Sequence, residues 1–191
     1  MNKQFYDIVR VEIFGGSISK NQFEGIEATL QEAKERKVPN EQLAYIFATE
    51  YHETDKTMQP IEEYGKGAKK SYGRKVKYSG QPYFKPDKIY FGRGHTQNTW
   101  YEIYERLTQL ARFQGKDWDF LNSPELLLEM EKSIWATFEG MTKGIYTGKK
   151  LSDYFNPKIN DPLNARRIIN GTDKAKLISE YYNVFLKALQ T

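Results

Sequence analysis

Residues 52–63 bring carboxylates close together in sequence: Glu53 within His52-Glu53-Thr54, and the adjacent pair Glu62-Glu63. Hydrolysis of a glycosidic bond needs two such groups, one protonated to assist the leaving oxygen and one ionised to activate water or attack carbon. The first needs drier surroundings than the second, and a helix-end glutamate faced by a loop-borne one can satisfy both. A histidine beside a glutamate is also how the helical zinc-protease motif begins, but its second histidine belongs at 56, where this chain has Lys56. His95 is the only other histidine, so a zinc site of both histidines plus a carboxylate is the metal alternative. Glutamate pairs are common, and on spacing alone Glu53 reads equally as an exposed carboxylate at a helix end.

Tyr90-Phe91-Gly92-Arg93-Gly94-His95-Thr96-Gln97-Asn98-Thr99-Trp100 is the second candidate stretch. Gly92 and Gly94 permit tight turns close to a ligand. The third glycine of a dinucleotide fingerprint is missing, and so is the spacing of a phosphate loop. Gln97 and Thr99 alternate, so in extended backbone they face one way, where together they can hold a water or a sugar hydroxyl. The plainer alternative is a turn leading into a helix capped by Thr99. Residues 64–86 add Lys66, Lys69, Lys70, Arg74, Lys75, Lys77 and Lys85, interleaved with Tyr64, Tyr72, Tyr78 and Tyr83 and with no acid among them. That pattern suits an anionic polymer, polysaccharide or nucleic acid; a solvated loop is the bland alternative.

The elements that must position these residues follow from apolar spacing. Phe5, Ile8, Val9, Val11 and Phe14 predict a helix over 3–14, ended by Gly15-Gly16. Ser19 predicts the N-cap of a helix over 20–36, with Phe23, Ile26, Leu30 and Ala33 on one face. Pro39-Asn40 opens a third helix that buries Leu43, Ile46, Phe47 and Glu50 and puts Glu53 near its end. Residues 54–91, rich in glycine and proline, predict a long loop with a short hairpin around 76–78 and 88–91; loops of that length in a compact domain are often functional. Helices are expected again over 100–112, 123–140 with Pro124 in the first turn, and 161–189 with a break at Asn170-Gly171.

Composition sets the outer bounds. A chain of 191 residues is long enough to bury one proper core. Its 14 Tyr, 11 Phe and 3 Trp fill that core first and serve as stacking platforms second. Lys plus Arg exceed Asp plus Glu by 29 to 25, a mild basicity compatible with an anionic partner. With no cysteine there is neither a disulfide framework nor a thiolate metal site. The first residues lack a secretory apolar segment and no apolar run reaches transmembrane length, so the expectation is folding in a cytoplasm, with any passage across a membrane left to another factor.

Taken in order, Ala48-Thr49-Glu50-Tyr51-His52-Glu53-Thr54, Met58-Gln59-Pro60-Ile61-Glu62-Glu63-Tyr64-Gly65, Tyr90 to Gly94 with Gln97-Asn98-Thr99-Trp100, and Ala165-Arg166-Arg167-Ile168-Ile169-Asn170-Gly171 closely resemble glycoside hydrolase family 19. These are chitinase-like enzymes of lysozyme-type fold, and the likeness is strongest to their bacteriophage endolysin branch. It runs from about residue 40 to the C-terminus. The resemblance implies a mainly α, two-lobed lysozyme-like fold: a single catalytic domain over 1–191, with a helical lobe built from both ends, a loop-rich cleft segment about 54–99, and at most a small β-hairpin.

By the same resemblance Glu53 is the general acid, and one of Glu62 and Glu63 is the base. Relatives with Met-Gln-Pro-Ile followed by a basic residue and Glu-Tyr-Gly point to Glu63, the preferred assignment; plain spacing in shorter-loop endolysins points to Glu62. Gln97 and Thr99 match positions that bind sugar and position the attacking water, and Asn170 matches the late cleft asparagine, with Arg167 in support. His52, Tyr90 and the remaining glutamate complete the expected substrate contacts. One departure stands out: where many chitinases carry Asn-Tyr-Asn-Tyr, this chain has Tyr101-Glu102-Ile103-Tyr104, and Ile103 cannot hydrogen-bond a sugar.

The activity implied is that of an endolysin: inverting hydrolysis of β-1,4 bonds in peptidoglycan, without metal or cofactor, by a monomer with no nucleic-acid partner. Such a protein waits in the host cytoplasm until a separate holin opens the membrane, then acts on the wall in the periplasm. The catalytic motif serves chitin and peptidoglycan alike. The missing cysteines, the missing signal segment and the basic loop favour peptidoglycan, leaving a chitinase as one alternative. A non-catalytic module that binds wall or nucleic acid through the basic loop is the alternative from another class.

Overall fold

The computed structural model describes residues 2–191. The chain is mainly α. Helices α1 (Lys3–Glu12), α2 (Lys20–Arg36) and α3 (Asn40–Glu53) come first. Strands β1 (Ile61–Glu62) and β2 (Arg93–Gly94) follow, then α4 (Tyr101–Phe113), α5 (Met130–Lys143) and α6 (Leu151–Tyr154). The hairpin β3 (Phe155–Asn156) and β4 (Ile159–Asn160) leads to α7 (Ala175–Leu189). No described helix is long and apolar enough to cross a membrane.

The local rules explain the helical frame. Ser19 caps α2 reciprocally: its Oγ accepts from the Gln22 N–H, and the Gln22 side chain accepts from the Ser19 N–H, worth about 1 kcal/mol. Helix α3 is buried on every side from Leu43 to Tyr51, which marks it as the central helix of the core. Helix α7 packs along it, with Phe47 stacked on Phe185 at 5.2 Å and Tyr51 edge-on to Tyr181 at 4.8 Å. Glu53, the last residue of α3, therefore projects from the central helix of the core.

The core has two parts. One gathers Phe5, Ile26, Phe47, Phe138 and Phe185 from α1, α2, α3, α5 and α7. The other gathers Tyr90, Tyr104, Leu107 and Phe120 around α4. Helix α5 serves both, sending Ile134 and Phe138 into the first and Trp135 and Ala136 into the second.

Three expectations need correction. The hairpin expected around 76–78 and 88–91 does not form; Val76 meets Pro82 in an isolated bridge closed by Gly80. The sheet of this region instead joins the two ends of the loop, pairing Ile61 with Gly94 and Glu62 with Arg93. The helix expected over 123–140 begins as a 3-10 turn, Pro124–Leu128, before α5 starts at Met130. In the segment expected to be helical over 161–189 with a break at Asn170-Gly171, the break is there, with Gly171 left-handed at φ +51°, but the part before it is a 3-10 turn, Asn164–Ile168, and only the part after it is an α-helix, α7. Helix α6 and the β3–β4 hairpin had no predicted counterpart: each is too short to carry a period.

Candidate active site

Glu53 leaves α3 into a tightly held turn. Thr54, fully buried, donates its hydroxyl to the Glu50 carbonyl at 2.7 Å and accepts from the Met58 N–H at 3.0 Å. Asp55, Lys56 and Met58 are all left-handed, at φ 49°, 69° and 55°. Such backbone costs about 1–3 kcal/mol per residue and persists only where the surroundings enforce it. Helix α2 does the enforcing: Gln22 Nε2 donates to the Lys56 carbonyl at 3.0 Å, and Gln59 Nε2 to the Asn21 carbonyl at 2.6 Å. Gly25 lies so close that a Cβ there would stand 1.8 Å from the Met58 carbonyl oxygen.

Glu53 Oε1 accepts from Arg166 Nη1 at 2.6 Å. Arg166 is only 3% exposed and is steadied by its Nε, which donates to the Asp173 carbonyl at 2.9 Å. Glu53 Oε2 accepts no hydrogen bond from the described residues and is the oxygen left open to a ligand. His52 is half-buried near Asp173 and Lys174. Burial, the largest influence, pushes its imidazole below the usual value; Arg166 and Lys174 act in the same direction, against Glu53 and Asp173.

The paired glutamates have different partners, as neighbours in extended backbone turn opposite ways. Glu62 accepts from Arg93 Nε at 3.2 Å and pairs with Lys66 at 3.0 Å. Partial burial opposes its ionisation, but the hydrogen bonds from Lys66 and Arg93 outweigh that and hold its carboxyl below the usual glutamate range. Arg93 is itself buried, stacked on Phe91 at 3.6 Å and donating to the Ile89 carbonyl and the Tyr104 hydroxyl. Glu63 turns the other way: Oε1 accepts from the Tyr72 hydroxyl at 2.9 Å and Oε2 from the Gly92 N–H at 3.2 Å.

Gln97 lines the same cleft as Glu53 in a left-handed conformation, φ 49°, its Nε2 donating to the carbonyls of Ile61 at 3.1 Å and Gly94 at 3.2 Å. Its Oε1 comes so close to Gly92 that a Cβ at 92 would lie 2.7 Å away; the glycine leaves room for Gln97 where its own N–H donates to Glu63. Thr99 Oγ1 donates to the Gln97 carbonyl at 2.8 Å. Thr99 is not the helix cap that was the plainer expectation: Trp100 holds that position with φ 77° and ψ 143°.

The result is a cleft of about 300 Å³, lined by Glu53, Tyr72, Gln97, Thr99, Trp100 and Asn170 among others. It lies on the seam between the two parts of the core, floored by Tyr146, whose hydroxyl meets Thr96 at 2.8 Å. Ile103 lines it as apolar wall. Of the residues singled out in sequence, Glu53, Gln97, Thr99 and Asn170 meet here directly, and Glu63 stands one hydrogen bond behind, at Tyr72.

The others lie elsewhere. Glu62 is engaged by Arg93 and Lys66. Tyr90 is a core residue, 1% exposed, whose hydroxyl donates to the Leu121 carbonyl at 2.7 Å. Neither His52 nor Arg167 lines the cleft; Arg167 is exposed, with its carbonyl taken by Thr147, and its neighbour Arg166 is the arginine that reaches in. His95 is fully buried, its Nδ1 2.8 Å from Ser133 Oγ, and burial pushes its imidazole down to about 4. Among the described residues no three His, Asp or Glu side chains gather as metal ligands.

Arg166, Tyr72, Trp100 and Tyr146 are the site residues that sequence reasoning passed over. Tyr72 lay within the basic, tyrosine-rich stretch and Arg166 beside Arg167, so both had a signal, but only the fold separates the inward residue from its neighbours. Compared with models of known protein families, with curated proteins and with solved structures, the chain matches none. The arrangement sets a carboxylate with one oxygen free of described donors beside an amide and a hydroxyl, with a second carboxylate held by neutral donors behind Tyr72.

Proposed function

We propose that this chain is a glycoside hydrolase that cleaves β-1,4 bonds between the amino sugars of peptidoglycan with inversion. Glu53 protonates the leaving oxygen through Oε2, and Glu63 draws a proton from a water held by Thr99 and Gln97. The observation that carries this reading is the convergence of Glu53, Gln97, Thr99 and Asn170 on one cleft, with Glu63 behind its Tyr72 edge. Inverting enzymes keep their carboxyls about 6.5–9.5 Å apart so that water fits between them; support here is that Tyr72, which lines the cleft with Glu53, also holds Glu63. Glu63 is favoured over Glu62 as base because Glu62 is already committed to two cations.

The preference for peptidoglycan over chitin is supported by the loop that borders the cleft. Lys69, Lys70, Arg74 and Lys85 have no carboxylate partner among the described residues, and Tyr72 from the same loop lines the cleft itself. That loop also favours the second reading, a non-catalytic module gripping an anionic polymer. Digestion of purified sacculi and of colloidal chitin, with mass spectrometry of the new ends, tests the proposal. Reducing muramic-acid ends are expected. Anhydro ends would mean a lytic transglycosylase, chitin oligomers alone would overturn the substrate, and no cleavage of either would favour the binding module.

A further inference from the structure

Trp100, Ile103, Tyr146, Ile169 and Asn170 line the cleft on one side and, on the other, a second groove of about 860 Å³. That volume is within the range of about 300–1,000 Å³ common to small-molecule sites. The groove is continuous with the cleft and carries its own recognition chemistry. Tyr78 and Trp100 meet edge-to-face at 5.2 Å and offer apolar surface for a sugar ring. Gly144, Gly148 and Gly171, all left-handed at φ 71°, 84° and 51°, let the opposite rim run past as bare backbone.

Glu102 and Arg106 face this groove one turn apart on α4. Residues so spaced ordinarily pair with each other. Here they do not: both Glu102 oxygens accept from the Tyr78 N–H, at 2.9 and 3.1 Å. Arg106 spends one donor, Nη1 to the Ile145 carbonyl at 2.9 Å, and has no carboxylate partner among the described residues. A guanidinium has five N–H donors in a planar fork that matches a carboxylate. The loop thus engages the carboxylate of Glu102 through the Tyr78 N–H and leaves the Arg106 guanidinium without a carboxylate partner among the described residues, in a groove whose other charged lining group is Glu102 itself.

We propose that this groove takes the glycan on one side of the scissile bond and that Arg106 selects an acidic amino sugar over a neutral one by pairing with the carboxylate the strand carries. The proposal rests on the glycosidase reading above and names its substrate class. A carboxylate can belong to the sugar or to a peptide attached to it, and the chemistry of recognition is the same. A neutral chitin strand fills the groove without engaging the arginine.

The test uses full-length Glu53→Gln protein, so that binding is read without turnover, alone and combined with Arg106→Gln or Arg106→Lys. Its ligands are peptidoglycan strands with and without their peptides, and chitin oligomers of equal length. Arg106→Gln is expected to weaken acidic strands about tenfold and leave chitin oligomers unchanged, with Arg106→Lys recovering part of the loss. Loss confined to intact strands assigns the carboxylate to the peptide; loss on stripped strands as well assigns it to the sugar. Equal weakening of acidic and neutral strands, or no weakening of either, overturns the proposal, and a folded Arg106→Lys variant guards against simple misfolding. If the selectivity holds but the unsubstituted chain cuts neither polymer, the glycosidase reading fails while the assignment of the groove stands.

Discussion

The Tyr72 hydroxyl donates to Glu63 Oε1 at 2.9 Å, and Tyr72 stands between that carboxylate and the cleft. Burial, followed by the Glu63 contact, pushes the phenol up to about 12, so at neutral pH it remains a donor. In the proposed mechanism this contact orients the base. Tyr72→Phe keeps the ring and removes the orienting bond; kcat on sacculi should fall about tenfold, roughly 1.4 kcal/mol of barrier, with KM little changed. Steady-state kinetics check it, and an unaltered kcat would show that Glu63 needs no such support.

Glu62 and Glu63 should respond oppositely to the same substitution. Glu63→Gln is expected to lower kcat by about 10²–10⁴, the usual contribution of a general base. Glu62→Gln should leave kcat near its original value but cost about 1–2 kcal/mol of stability, since buried Arg93 loses its charged partner. Parallel activity assays and thermal melts distinguish the two, and the reverse pattern would make Glu62 the base.

Glu50 sets a pH dependence of stability unrelated to catalysis. It is fully buried; its Oε2 meets Thr29 Oγ1 at 2.9 Å and its Oε1 has no partner. Burial raises its carboxyl from 4.5 to about 8, with the Thr29 bond opposing. The folded chain therefore keeps this proton while the unfolded chain releases it, so stability is fullest below about pH 4.5, declines as pH rises towards about 8, and then levels off. The loss is on the order of 4–5 kcal/mol at most. Glu50→Gln should flatten this dependence in melts taken between those limits; an unchanged slope would contradict the assignment.

Gly25 couples α2 to the turn that carries Glu53. A methyl group there would meet the Met58 carbonyl at 1.8 Å, so Gly25→Ala should cost about 1–3 kcal/mol through overpacking and reduce activity as well. Melting and sacculus turnover measured together check this. Full activity in a stable variant would show that the turn adapts freely.

The helical frame was legible because its signals are local. Ser19 caps α2 as expected, and the apolar period of 40–53 gives α3 with Glu50 inside and Glu53 at its end. The cleft was only half legible. Gln97 and Thr99 do point to one place, but through a left-handed Gln97 and a strained Trp100 that no propensity anticipates. Tyr90 was misjudged because an aromatic beside a glycine-rich turn serves core and cleft equally well until packing decides. Arg166 and Arg167 were inseparable for a related reason: the 3-10 turn at 164–168, not an α-helix, sets which of them faces Glu53.

The most direct measurement is the turnover of purified sacculi by Glu53→Gln, taken beside its thermal melt. The oxygen of the substituted amide can still accept from Arg166, but the group has no acidic proton to transfer. The account predicts that release of new reducing ends falls by at least about 10² while the protein melts cooperatively near the temperature of the unsubstituted chain. A folded variant that keeps most of its turnover would contradict the claim that Glu53 is the acid.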